Sequence, residues 1–189
     1  MDANLRAAAP AKTAMPETTG VAIREATAAD ARAIAAVHVR SWQAAYRGEL
    51  PDAYLDGLSV DERESQWIER LRASRSDGGT LVAEEDGRVI GFAGFGPTRD
   101  EDAPAATGEV YAIYLLPEWF GRGIGRELFA RANERLRELG YVRATLWVLA
   151  TNARSRRFYE RAGWAFDGTE SSHQDQCLNM PIARYAVDL

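Results

Sequence analysis

One cysteine, Cys177, in 189 residues leaves no partner for an internal disulfide, which is the ordinary condition of a protein from a reducing cytoplasm. Long apolar runs are missing as well. No stretch reaches the roughly 20 residues that a membrane-spanning helix needs, and the first residues carry no apolar signal-peptide core, so neither a membrane partner nor secretion is expected. Positive charge is in deficit: 23 Lys and Arg against 28 Asp and Glu leave a net charge of −5. That balance speaks against sequence-blind binding to nucleic acid or anionic lipid, both of which want a basic face. A cationic substrate suits it better. What is present is a globular composition, 46% hydrophobic and 27% charged, enough for one ordinary domain with a tail. Residues 1–20, alanine-rich with Pro10 and Pro16, read as a disordered leader, and residues 21–189 as the single domain.

Periodicity and punctuation give the elements. Val21 to Glu25 reads as a strand, and Thr27 with Asp30 as a capping box opening a helix whose one face carries Ile34, Val37, His38, Ser41, Trp42 and Ala45. Gly48 and Pro51 break it. Ser59 and Glu62 open a second helix with Trp67, Ile68 and Leu71 inward. Leu81–Glu85 and Val89–Phe95 flank Asp86-Gly87, a hairpin signal. An acidic loop, Pro97 to Thr107, leads to a strand from Gly108 to Leu116 and a helix from Arg122 to Leu139 that Gly140 stops. Thr145 to Leu149 alternates as a strand, Asn152 caps a short helix ended by Gly163, and Trp164–Phe166 and Cys177–Tyr185 read as late strands. The order β-α-α-β-β-β-α-β-α-β-β is that of a mixed α/β sheet, without internal repeats.

The most informative segment is Glu109 to Gly125, Glu-Val-Tyr-Ala-Ile-Tyr-Leu-Leu-Pro-Glu-Trp-Phe-Gly-Arg-Gly-Ile-Gly. A buried strand ends at Pro117, three glycines turn the chain, and an amphipathic helix begins. Its first amides and the positive end of its dipole suit a phosphate. Two better-known cradles do not fit. The dinucleotide fingerprint needs glycine where Leu128 stands, and the P-loop Gly-Lys-Ser/Thr is absent. The plain alternative is a β-turn-α connection with no ligand.

The pattern Arg122-Gly123-x-Gly125 after a strand, followed by Asn152 seven residues before Tyr159 within Asn-Ala-Arg-Ser-Arg-Arg-Phe-Tyr-Glu-Arg-Ala-Gly-Trp, resembles the GCN5-related N-acetyltransferase superfamily over Val21 to Phe166. The resemblance implies a mixed, mostly antiparallel α/β sheet of about six to seven strands flanked by about four helices. It implies acetyl-CoA as cosubstrate, held at its pyrophosphate by the amides of Gly121, Arg122, Gly123, Ile124, Gly125 and Arg126. Ile113 and Leu115 would pair with the pantetheine arm as with an added strand, Leu115 would supply the oxyanion amide, and Asn152 would be a side-chain ligand as well as a helix cap. Phe120 departs from the family, whose loop usually starts with glutamine or arginine. No metal is called for. Members of that superfamily are often homodimers.

Acetyl transfer needs a neutral amine, and an alkylamine titrates near pH ~10, so a base or a water chain must take its proton. Glu109 matches the glutamate that acts as base in the histone-type acetyltransferases of the superfamily. Period-two counting sets it in phase with Tyr111, Ile113 and Leu115, among apolar neighbours that would raise its pKa. The alternative is a strand-end glutamate in solvent. Tyr159 matches the general acid that returns a proton to the coenzyme thiolate, with a purely structural phenol as the alternative. The acceptor, a small-molecule or peptide amine, would sit near the first two helices. There His38, Trp42 and Tyr46 share one helical face, as a cation–π lining or as plain core. Asp100, Glu101 and Asp102 could attract a cation or form only a solvated loop, His173 reads as a loop histidine, and Cys177 as a small core residue rather than an acyl carrier. A non-catalytic acyl-CoA sensor is the competing function.

Overall fold

The computed structural model describes residues 20–73, 76–175 and 178–189, and the side chains among them except those of residues 173–175 and 178. The leader up to residue 19 and Cys177 thus fall outside the described residues. In chain order the elements are β1 (Val21–Glu25), α1 (Ala31–Ala45), α2 (Asp52–Asp56), α3 (Val60–Arg72), β2 (Gly79–Glu85), β3 (Arg88–Pro97), β4 (Thr107–Leu115), α4 (Ile124–Glu138), β5 (Arg143–Leu149), α5 (Ala153–Arg161), β6 (Ala165–Asp175) and β7 (Leu178–Asp188). The strands form one seven-stranded sheet in the order β1-β2-β3-β4-β5-β7-β6, antiparallel throughout except for β4 against β5. The expected mixed, mostly antiparallel α/β sheet is what forms.

Local chemistry explains most boundaries. Asp86 and Gly87 both take positive φ, 48° and 76°, which is the twist-matched turn that a two-residue hairpin between Glu85 and Arg88 requires. Thr27 donates its amide to Asp30 Oδ2 at 2.7 Å before α1, and Ser59 Oγ accepts the Glu62 amide at 3.2 Å at the start of α3. β3 is buried from Val89 to Gly96 because both of its faces are covered. On one side Phe92 meets Trp67 of α3, and on the other the apolar stripe Leu128, Phe129, Ala132 and Leu136 of α4 packs down.

Two details add to the expected fold. The described residues hold five α-helices, the additional one being α2, a five-residue turn between Pro51 and Gly57 that is too short to show a period. The late hairpin is longer than its apolar residues suggested. β6 is an edge strand whose Glu170, Ser171 and Ser172 lie exposed, so no alternation marked it. It also takes in His173, which pairs with Met180 and is therefore in a strand, not a loop. No helix among the described residues is long and apolar enough to cross a membrane.

Candidate active site

β4 and β5 start as a parallel pair and then part. Only Thr107–Arg143, Gly108–Ala144 and Glu109–Thr145 are matched, although β4 runs on to Leu115 and β5 to Leu149. The result is a wedge in the middle of the sheet, closed at Glu109 and open where β4 ends. Across β3 and β4 the Leu116 amide donates to the Ile90 carbonyl at 2.9 Å. By alternation the amides of Ile113 and Leu115 face the other way, into the wedge.

The glycine turn sits at the mouth of this wedge. A short 3-10 turn over Pro117–Trp119 delivers the chain to Gly121 and Gly123, which take φ of +80° and +84°, and α4 begins at Ile124. Only glycine adopts this conformation without strain. A Cβ on either would meet nothing within 4 Å, so the turn borders open space rather than packed protein. Gly123 caps α4 without a side-chain bond, which leaves the first amides of α4 pointing outward. Phe120, the departure from the family pattern, is 38% exposed, and the guanidinium of Arg154 lies over its ring at 3.8 Å. Arg122 lies over Trp119 at 4.4 Å in the same way. Cationic side chains therefore flank the turn without carboxylate partners among the described residues. Sequence reasoning missed Arg154, and its place two residues after Asn152, at the start of α5, was the available signal.

Tyr159 enters from α5. Its ring lies 5.4 Å from Phe129 and 6.3 Å from Tyr185, and the residue is 8% exposed. Among the described residues its hydroxyl has no hydrogen-bond partner, so it is held in place but uncommitted. Burial, and then the nearby Tyr46, push the phenol well above its ordinary value, which keeps it protonated at neutral pH. Phe158 packs on Phe129 and faces Gly125. Asn152 caps α5 through its Oδ1, which accepts the Ser155 amide at 3.0 Å, and its side chain lies near the Tyr46 phenol.

The α1 stripe turns toward the same place. His38 stacks on Tyr114 at 5.1 Å, Trp42 Nε1 donates to the Tyr114 hydroxyl at 2.9 Å, and the Tyr46 ring meets that of Trp42 edge-on at 5.1 Å. Tyr46 and Tyr114 are also raised above the ordinary tyrosine value, first of all by burial. Just beyond, Thr151 Oγ1 donates to Glu49 at 2.6 Å. The end of α1 is thereby fastened to the β5–α5 corner.

Glu109 differs from expectation in two respects. The β3–β4 register slips between Gly94 and Phe95, so Val110 faces Phe95, Ala112 faces Gly94, and Tyr111 is the extra residue of a bulge. The slip breaks the period-two count. Glu109 and Tyr111 share the α1–α3 face with Tyr114, whereas Ile113 and Leu115 lie on the α4 face. Its surroundings are also polar rather than apolar. The carboxylate, 1% exposed, accepts the Arg99 backbone amide at 3.0 Å and Arg99 Nε at 3.1 Å, with Arg99 Nη2 on its other oxygen. Asp100 and Asp102 of the acidic loop are already engaged. Asp100 accepts from Trp147 Nε1 at 2.9 Å, and Arg184 holds Asp102 at 2.7 Å and Asp167 at 2.7 Å.

The comparisons with known proteins agree with this geometry. The family model described as the acetyltransferase (GNAT) family matches residues 31–164. An uncharacterized N-acetyltransferase, YuaI of Bacillus subtilis, is 42% identical over 133 residues, 70% of this chain and 73% of that one. A mycothiol acetyltransferase of Acidimicrobium ferrooxidans is 33% identical over 123 residues, 65% of this chain but 37% of the relative. Among solved structures, the PaiA N-acetyltransferase of Thermoplasma acidophilum in complex with coenzyme A superposes with a TM-score of 0.72 at 22% identity, covering 90% of this chain and all (100%) of that one. A ribosomal-protein-alanine N-acetyltransferase of Brucella melitensis gives a TM-score of 0.67 at 26% identity, covering 89% and 99%. The chain belongs to the GNAT family, and is by that membership an acetyl-CoA-dependent N-acetyltransferase.

Proposed function

We propose that the protein moves the acetyl group of acetyl-CoA to the primary amine of a small molecule or peptide, by direct attack while both are bound. The observation that carries this reading is the wedge between β4 and β5 with the glycine turn at its mouth. Its free strand edge and open Cβ positions fit a narrow chain that ends in a diphosphate. In this reading the amides of Gly121, Arg122, Gly123, Ile124, Gly125 and Arg126 hold the diphosphate, and Arg154 adds positive charge beside it. Ile113 and Leu115 hold the arm by backbone pairing. Leu115 stands at the mouth, so the oxyanion donor belongs deeper, at the Ile113 amide. Asn152 orients the arm only by sharing its side chain with the α5 cap.

Bound acetyl-CoA supplies the thioester carbon that the amine attacks. Glu109, at the closed end of the wedge, accepts the amine proton directly or through water, once Arg99 yields one of its oxygens. Tyr159 donates its phenolic proton to the departing sulfur. Its protonated, uncommitted hydroxyl supports that role. His38, Trp42 and Tyr46 set the wall of the acceptor site and, through Tyr114, tie it to the cofactor strand. Calorimetric titration with acetyl-CoA, followed by thiol release with a panel of amines, tests the reading. No binding heat from folded protein would remove it.

A further inference from the structure

The β3–β4 loop crosses the seam at which the sheet divides. β4 and β5 pair only as far as Glu109–Thr145, and the loop just before Glu109 is bound on both sides of that junction. On its own side the Thr98 amide donates to the Thr107 carbonyl at 3.1 Å, and the Tyr111 hydroxyl donates to the Pro97 carbonyl at 2.6 Å. On the far side Asp100 Oδ1 accepts from Trp147 Nε1 of β5 at 2.9 Å, and Asp100 Oδ2 lies 3.3 Å from Arg184 Nη1 of β7. Arg184 uses every nitrogen of its fork. Nη1 and Nη2 hold Asp102 at 2.7 and 2.9 Å, Nη2 also reaches Thr169 Oγ1 at 3.0 Å, and Nε holds Asp167 at 2.7 Å. The side chains of Arg184 and Asp100 are only 10% and 11% exposed, so water and salt screen their contact less than they screen a surface pair. Arg99 stands between the two anchorages. Its side chain is 66% exposed and keeps rotamer freedom of its own, whereas its backbone amide, which donates to Glu109 Oε2 at 3.0 Å, goes where the loop goes.

We infer that Asp100 and Arg184 are positioning residues for acetyl transfer: by tying the β3–β4 loop across the seam they seat Arg99 on Glu109 and so fix the carboxylate where the amine arrives. This rests on the reading that Glu109 takes the amine proton. Both residues act through Arg99. A base held to one orientation meets its proton donor in the reactive geometry, and a loosened one spends most of its time elsewhere.

The test has two arms on the full chain. The first needs no acceptor: hydrogen exchange followed by NMR should show the Arg99 amide exchanging about tenfold faster in Asp100→Ala than in the wild type. Asp100→Asn, which keeps an acceptor oxygen for Trp147 and Arg184, should restore most of the protection. The second is thiol release from acetyl-CoA with the best acceptor among amino acids, aminoalkyl phosphates and polyamines. There Asp100→Ala should lower kcat about tenfold, leave the Kd of acetyl-CoA unchanged, and add nothing further in a Glu109→Gln background. Should Asp100→Ala not fold, Asp102→Ala carries both arms, because that side chain is 65% exposed and its removal leaves no buried gap. Unchanged exchange at Arg99, a wild-type kcat, or an equal drop with and without the Glu109 carboxylate overturns the positioning role. If Glu109→Gln is slow while Asp100→Ala is normal, the base reading stands and only this inference falls. A wild-type kcat in Glu109→Gln removes both.

Discussion

Glu109 is almost wholly buried, yet both of its oxygens are held by a single exposed residue, Arg99, ten positions earlier in the chain. A carboxylate so held is fixed in position, and it can take a proton only when one of its bonds is released. Glu109→Gln keeps the shape and an acceptor oxygen for Arg99 but removes the base. We expect kcat to fall at least tenfold, the alkaline-rising limb of the pH–rate profile to move, and the Kd of acetyl-CoA to stay as it was. A profile identical to that of the wild type would give the proton to water or to another group.

Tyr159→Phe deletes one hydroxyl that has no partner among the described residues and leaves the ring packing against Phe129 intact. Stability should therefore hardly change, while kcat falls about 10- to 100-fold and acetyl-CoA affinity is preserved. Turnover at the wild-type rate would leave the tyrosine a packing residue only.

Gly123 separates backbone strain from obstruction. Alanine there must adopt φ near +84°, a conformation that costs an L residue about 1 kcal/mol. Tryptophan carries the same strain and also fills the open space beside the turn. Both variants should lose a few degrees of Tm, yet Gly123→Trp alone should weaken acetyl-CoA at least tenfold by calorimetry. Equal affinities would move the diphosphate elsewhere.

Asp30 lends itself to a pH test of the fold. Arg24 binds both of its oxygens at 2.8 Å and, with the Thr27 donors, brings the carboxyl from 3.8 to about 2. The folded group thus binds fewer protons than the unfolded one between about pH 4 and pH 2. Its contribution, about 2 kcal/mol, is complete above that window and disappears as pH falls through it. Asp30→Asn should destabilise the protein at neutral pH by about that amount, and the gap to wild type should narrow below pH ~4 in denaturant titrations. A gap that stays constant down to pH ~2 would mean that the ion pair contributes nothing.

The parts that were legible in the sequence are those fixed within a few residues. The Asp86-Gly87 turn and the turn at Gly121 and Gly123 follow from backbone conformations that few residues adopt, and the Asn152 cap from a side chain that accepts an amide three residues on. The parts that were not legible depend on distant partners. The bulge at Tyr111 is set by the register of β3, and nothing in the alternation of β4 announces it. The clamp of Arg184 on Asp102 joins residues 82 apart, so an acidic loop that looked solvated is pinned in place.

Among the described residues, three matched pairs between β4 and β5 are the strand pairing that joins two half-sheets, β1 to β4 and β5 to β6, along that seam. A guest lying in the gap would zip them together, so catalytic assembly and mechanical stiffness become one event. The free protein should breathe about this hinge, and amide hydrogens along β4 and β5 would exchange most slowly when the coenzyme spans both halves.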